Sequence, residues 1–305
     1  MNGILLVDKE QNWTSSDVVV KLKGILRQRR VGHAGTLDPM ATGLLVVFAG
    51  RATRAVEFAE RDSKRYLASL RLGTVTDTQD IWGTVLEKNA ADVGRDELEA
   101  ALERFRGAQQ QLPPMYSAVK VGGKKLYELA RQGKTVERTP RRVRIDKLEL
   151  TAFDPETGAG TLCMTCGSGT YVRTVIDDLG RVLGCGAVMT SLRRTLSNNF
   201  RIERCVTIEQ VQALADAGNA GSAIIPIAEV FQVLPPLRLN EKQTRLYRNG
   251  VKLELRQIEK QLLAGDRFAV YGTPDGFLGT AITDRENGIL RIERNLTEPK
   301  EQAND

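Results

Sequence analysis

The stretch VGHAGTLDPMATGLL, residues 31–45, gathers the only histidine of the chain, His33, and an Asp-Pro step at Asp38 and Pro39. Three glycines, Gly32, Gly35 and Gly43, surround them. A residue before proline is pushed toward extended geometry, and the proline fixes the next φ. The glycines let a ligand or another backbone come close. Together they would hold a carboxylate rigidly at a loop tip. An aspartate, which ordinarily titrates near pH ~3.9, is ionised at neutral pH and can serve as nucleophile or base. The same composition also suits a plain turn, and residue types alone do not separate the two.

Other chemistries are easier to set aside. A single histidine excludes His-rich zinc sites and the HExxH signature. Cys163 and Cys166 form one CxxC, while Cys185 and Cys205 stand alone, so packing is the expected role and no metal is expected. No Walker A or GxGxxG sequence occurs, Gly167-Ser168-Gly169 is not GxSxG, and a cofactor-free mechanism is expected.

The elements that must position Asp38 follow from periodicity. Residues 3–7 read as a strand, and Thr14 to Asp17 has the form of a capping box before helically spaced Val18, Val19, Leu22, Ile25 and Leu26. Residues 44–49 form an apolar run of buried-strand length, too short to span a membrane. Tyr66, Ala68, Leu70 and Leu72 alternate with Leu67, Ser69 and Arg71, which predicts a half-buried strand with Tyr66 inward. Residues 73–83 read as a polar loop, and 95–105 as a helix. Strands are expected over 142–151 and 161–166. A helix from about Tyr171 carries Val172, Val175, Ile176, Leu179 and Leu183, with Arg173 in its first turn. Strands and helices interleave without a regular βαβ rhythm. The expectation is therefore α+β: a mixed, mainly antiparallel sheet flanked by helices. The segment FQVLPPLRL marks a boundary, so residues 1–232 and 233–305 are expected as two domains, the second a small β-barrel-like unit around a Pro-Asp-Gly turn. The last nine residues are expected to fray.

The net charge of +6 is concentrated. Between residues 115 and 145, nine basic residues face Glu128 and Glu137, so this segment alone carries +7. That is the footprint of a polyanion partner, most simply nucleic acid. The N-terminus lacks a signal-like pattern and the cysteines show no disulfide framework; a cytoplasmic, membrane-free monomer is expected.

GHAGTLDPMATGLL resembles the catalytic motif of the TruB family of tRNA pseudouridine synthases, G-[HT]-x-G-[TS]-L-D-P-x-A-[TS]-G-[LV]-L. KRYLASLRLGTVTDTQDIWG, LPPMYSAVKVGGKKLYELARQG, GTYVRTVIDDLG and LRRT follow in family order. The resemblance covers about residues 3–197. One block departs from it: DKEQNWTS has Glu10 where the family has Pro and Asn12 where it has Gly. Asn tolerates left-handed geometry better than most residues.

The resemblance implies a pseudouridine synthase fold with a C-terminal PUA domain. It further implies isomerisation of uridine 55 in the T loop of tRNA, by base flipping and attack of Asp38 on either the uracil ring or ribose C1′. Tyr66 would stack on the flipped uracil near C5, and Arg173 would pair with Asp38. His33 would brace the vacated space. Tyr171 and Leu192 would contact the nucleoside, with Asp80 and Lys120 also near the site. Residues 114–145 would be an insertion that grips RNA phosphates through Lys124, Lys125, Arg131, Lys134, Arg138, Arg141, Arg142 and Arg144. The PUA domain would take the acceptor end of the tRNA. Two other readings compete: a guide-RNA-dependent synthase, whose members lack this insertion, and a non-catalytic tRNA-binding or tRNA-folding protein.

Overall fold

The structure is a computed structural model and describes residues 1–60, 63–258, 261–262 and 265–297. Its frame is a nine-stranded mixed sheet. Along the main path the order is Gly3–Lys9, Thr42–Ala49, Ala187–Ser197, Lys64–Leu72, Ala159–Cys166, Arg141–Asp154 and Gly107–Gln111. Val31–Ala34 adds to Thr42–Ala49, and Phe200–Arg201 to Ala187–Ser197. The pairings are antiparallel except the one between Thr42–Ala49 and Ala187–Ser197, where Arg193 meets Thr42 and Arg194 meets Gly43.

Two cores explain why the first strands read as continuous apolar runs rather than alternating ones. Leu5, Val7, Leu45 and Val47 face helices, packing with Val18 and Leu22 of Ser15–Ile25 and with Val211 of Ile208–Asp216. The same core takes in Leu98 and Leu102 of Arg95–Glu103, and Val175, Ile176 and Leu179 of Val172–Val182. Ile4, Leu6, Leu44, Val46 and Phe48 point the other way, into a second core with Phe200, Phe231, Ala269 and Leu296. A strand covered on both faces has no polar face to show. Lys64–Leu72 keeps one face toward water, so its alternation survives, with Tyr66, Ala68, Leu70 and Leu72 inward.

Past residue 235 the chain forms a five-stranded sheet in the order Pro236–Leu239, Arg267–Gly272, Gly276–Asp284, Ile289–Asn295, Leu253–Glu254. The helix Glu241–Arg248 closes it over Leu237, Tyr247, Phe268, Val270 and Leu278. This curled half-barrel fits the PUA-like unit implied above.

Four local readings change. The glycine-rich loop begins as a strand, Val31–Ala34. The polar loop at 73–83 starts in one strand of a small hairpin, Thr74–Thr76 with Val85–Lys88. The strand Ala187–Ser197 and the helix Ile208–Asp216 had no counterpart in the periodicity. The strand expected over 142–151 runs longer, Arg141–Asp154, and takes in Arg141 as well as Arg142 and Arg144, with Val143 and Ile145 buried on its other face. The tail expected to fray, residues 297–305, lies, beyond Thr297, outside the described residues.

Candidate active site

Asp38 lies in the loop between Val31–Ala34 and Thr42–Ala49, where His33 pairs with Val47 and Ala34 with Val46. The loop is tied down from below. Leu37, Met40 and Ala41 are buried in the helix-side core. The Ser15 hydroxyl accepts from the Leu37 N–H at 2.8 Å and donates to the Leu37 carbonyl at 3.0 Å. The Asn12 N–H donates to the Pro39 carbonyl at 2.9 Å. Asn12 itself has φ 69°, the left-handed geometry that explains a glycine in the family pattern. The ammonium of fully buried Lys9 donates to the Glu10 and Trp13 carbonyls and reaches Pro39 O at 3.5 Å. With its neighbours pulled inward, the Asp38 side chain keeps 36% of its surface exposed.

Arg173 meets it from the helix Val172–Val182. Nη2 stands 3.3 Å from Asp38 Oδ2 and donates to the Tyr116 carbonyl at 2.6 Å. Nη1 stands 3.4 Å from Asp80 Oδ2. The helix start is fixed by buried Gln111, whose side chain accepts from Tyr171 N–H and donates to Tyr171 O. Asp80 is buried and doubly used: its Oδ1 accepts from the Trp82 N–H and the Thr78 hydroxyl. The Asp80 loop is stapled to the Arg173 helix through Gln79, which accepts from Thr174 at 2.7 Å and donates to Asp177 at 3.0 Å. A guanidinium between two carboxylates faces both with its charge and fixes their orientation.

Tyr66 comes from the neighbouring strand. Burial pushes its phenol up, against the opposing pull of the Arg194 guanidinium. Burial likewise lowers Lys9 to about 8, partly offset by Asp38. Leu192, also buried, pairs across the sheet with Ala68. Half-buried Tyr171 caps the Arg173 helix, and half-buried His33 lies on the strand that enters the loop. Asp38, Asp80 and Arg173 are thus in direct contact, while Tyr66, His33, Tyr171 and Leu192 sit on the elements bordering them.

The basic segment divides by environment. Lys120 and Lys124 are exposed on the hairpin Lys120–Val121/Lys124–Lys125, four residues and more beyond Tyr116. Lys125 and Arg131 flank the Tyr127 ring, and Lys134 is exposed. Arg138 donates to the Pro113 carbonyl and braces the segment. Arg144 pairs with Asp146. Lys9, Gln79, Gln111 and Arg194 escape a search for reactive residues: each works through backbone carbonyls or a neighbour. Among the described residues, no group of three His, Cys, Asp or Glu side chains is placed to hold a metal, and no helix is long and apolar enough to cross a membrane. Burial pushes the Cys166 thiol up to about 11 and that of Cys205 to about 12.

Residues 23–172 match the TruB family pseudouridylate synthase N-terminal domain, and residues 173–237 the tRNA pseudouridylate synthase B C-terminal domain. A tRNA pseudouridine synthase B of Bacillus subtilis is 37% identical over 308 residues, covering 99% of this chain and 100% of the relative. One of Geobacillus kaustophilus is 43% identical over 261 residues, covering 84% and 92%. Among solved structures, a Cbf5-Nop10-Gar1 complex aligns with TM-score 0.75 at 25% identity, over 97% of this chain and 85% of the other. An H/ACA RNP bound to a substrate RNA shares the fold at TM-score 0.73 and 22% identity, over 97% and 85%. By matched domains and by relatives of the same length, the chain belongs to the TruB family of pseudouridylate synthases.

Proposed function

We propose that the protein, a tRNA pseudouridine synthase by family, isomerises uridine 55 in the T loop of tRNA with Asp38 as nucleophile. The observation that carries this reading is Arg173 held between Asp38 and buried Asp80, with Asp38 the more open of the two acids. The target base leaves its stack, at a cost of a few kcal/mol, and enters beside Asp38. Asp38 attacks the ribose C1′ or the uracil ring, and the C1′–N1 bond breaks. After the ring turns, C1′ bonds to C5, the bond to Asp38 breaks and returns the free carboxylate, C5 loses its proton and N1 gains one. Atoms balance, and no cofactor is consumed. Arg173 holds the carboxylate in place and aims it. Tyr66, inward on its strand, lies against the ring near C5, with Leu192 and Tyr171 shaping the pocket. His33 fills space vacated by the base.

Phosphate contacts fall to the exposed cations Lys120, Lys124, Arg131 and Lys134, with Lys125 beside them, and to the outward arginines of Arg141–Asp154. Such contacts position RNA without reading sequence. The half-barrel, residues 233–305, takes the acceptor end, and the enzyme works as a cytoplasmic monomer. Full-length likeness to relatives named tRNA pseudouridine synthase B favours this reading over a guide-dependent one, as does the basic segment.

Release of tritium from tRNA labelled at uridine C5 tests the proposal. Wild-type protein releases it from a T-arm substrate, and Asp38→Asn binds the RNA but releases none. A wild-type protein that binds T-arm RNA without release would be a binding or folding factor instead.

A further inference from the structure

Arg194 is charged and fully buried, and its partners are unusual. Its neighbour Arg193 is ordinary: it is partly exposed and pairs with Asp8 at 2.6 Å. Arg194 faces the other way and donates to two backbone carbonyls, Nε to Leu44 at 2.7 Å and Nη2 to Gly35 at 2.9 Å. Gly35 lies at the head of the Asp38 loop and Leu44 just past its end, so one guanidinium clamps both sides of it. Gly35 has φ 70°, and a Cβ there would stand 3.1 Å from Lys64 Cε and 3.3 Å from Arg194 Nη1. The missing side chain is what lets the cation approach.

The third nitrogen, Nη1, is buried without a partner at hydrogen-bond distance among the described residues. A buried donor left unmatched is costly, and a buried charge more so. Across the sheet, Arg194 is the residue directly opposite Tyr66, so both side chains project from the same face. The phenol has Arg194, Cys166 and Asp38 among its charged or titratable neighbours, and Arg194 is the cation of the three.

We infer that Arg194 is a positioning residue for the loss of the C5 proton, clamping the Asp38 loop while directing its remaining donor to the Tyr66 phenol oxygen. The inference rests on the function proposed above. In the step it serves, the C5–H bond breaks and its electron pair restores the C5=C6 double bond. The proton passes to the phenol oxygen, which gives up its own proton toward solvent as it accepts the new one. Burial keeps the phenol protonated between turnovers, and the guanidinium steadies the negative character that develops while the protons exchange.

The test compares wild type with Arg194→Lys, which keeps the charge but loses the fork, and with Gly35→Ala, which displaces Nη1 from the loop side. Each variant is first checked for a cooperative thermal melt. Single-turnover rates are then measured with T-arm RNA carrying protium or deuterium at C5. Displacing a reacting group by an ångström costs about 100-fold, so a fall of that order is expected, with RNA affinity retained. The isotope ratio should rise above the wild-type value, because C5 proton loss is the step selectively slowed. A slower variant with an unchanged ratio, or an unchanged rate, overturns the inference; if one variant does not fold, the other decides it. No turnover by wild type removes the proposed function and this inference together. Turnover by wild type with an unmoved ratio removes the inference alone.

Discussion

Asp38 and Asp80 share one cation: Arg173 stands 3.3 Å from the first through Nη2 and 3.4 Å from the second through Nη1. The arginine is almost fully enclosed, whereas Asp38 is open to whatever binds. Removing the cation would leave two carboxylates facing each other around an apolar side chain. Breaking a buried pair costs about 3–5 kcal/mol, and the exposure of Asp38 puts the expected loss near the lower figure. Arg173→Met should therefore melt earlier and lose turnover. Arg173→Lys should keep most of the stability but not the rate, since one ammonium cannot reach two carboxylates and the Tyr116 carbonyl together. Denaturant melts and single-turnover rates on both variants check this; a fully active lysine variant would contradict it.

The ammonium of Lys9 gives stability a dependence on pH. Burial lowers it to about 8 from an ordinary 10.5. Between those values the unfolded chain binds more protons than the folded one, so stability rises with pH across this window. Below about pH 8 the folded state bears the full cost of holding the charge. The gain on going from pH 7.5 to 10 should be of order 2–3 kcal/mol relative to Lys9→Met. Urea melts of the two proteins at both pH values measure it, and parallel behaviour would refute it.

Asn12 holds a left-handed turn whose N–H ties down Pro39. Asn12→Gly should change stability by only a few tenths of a kcal/mol, whereas Asn12→Val should cost about 1–3 kcal/mol and loosen the Asp38 loop. Thermal melts rank the variants, with equal melting temperatures counting against the argument.

Among the cations of the basic segment, Lys124 and Lys134 are exposed, whereas Arg138 is spent on the Pro113 carbonyl. Each phosphate contact removed should reduce the slope of log K against log salt by about 0.7–0.9. Lys124→Gln with Lys134→Gln should flatten the salt dependence of T-arm binding. Arg138→Gln should instead lower the proteolytic resistance of this segment. Fluorescence titrations at several salt concentrations and limited trypsin digestion separate the two effects.

How far the chain could be read depended on what each residue faces. Tyr66 to Leu72 alternated legibly because one side of that strand meets water. Val172 to Leu179 showed its stripe because its other side, though buried too, is polar: Arg173, Thr174 and Asp177. The strand Ala187–Ser197 stayed hidden: its two arginines look like surface, but Arg194 is enclosed in the sheet and only Arg193 is outside. Asp80 lies in the stretch that read as a polar loop, and only resemblance set it near the site. It is a local cap, and what sets it apart is an arginine 93 residues away, a distance that no local pattern carries.

The one parallel pairing in the sheet sets a clock. Arg194 reaches the Leu44 carbonyl across 150 positions of chain; Val31–Ala34 covers only residues 46–49 on that side, and the Thr42–Gly43 end has no strand partner there until Ala187–Ser197 exists. Contacts of such sequence separation form slowly and late. A ribosome moving at about 5–20 residues per second needs roughly 8–30 s to make the intervening segment. Throughout that interval the nascent chain carries Asp38 on an unclamped loop, and for most of it Arg173 has not been made. The acid emerges early, and its ability to act on RNA has to wait for the strand that closes the sheet.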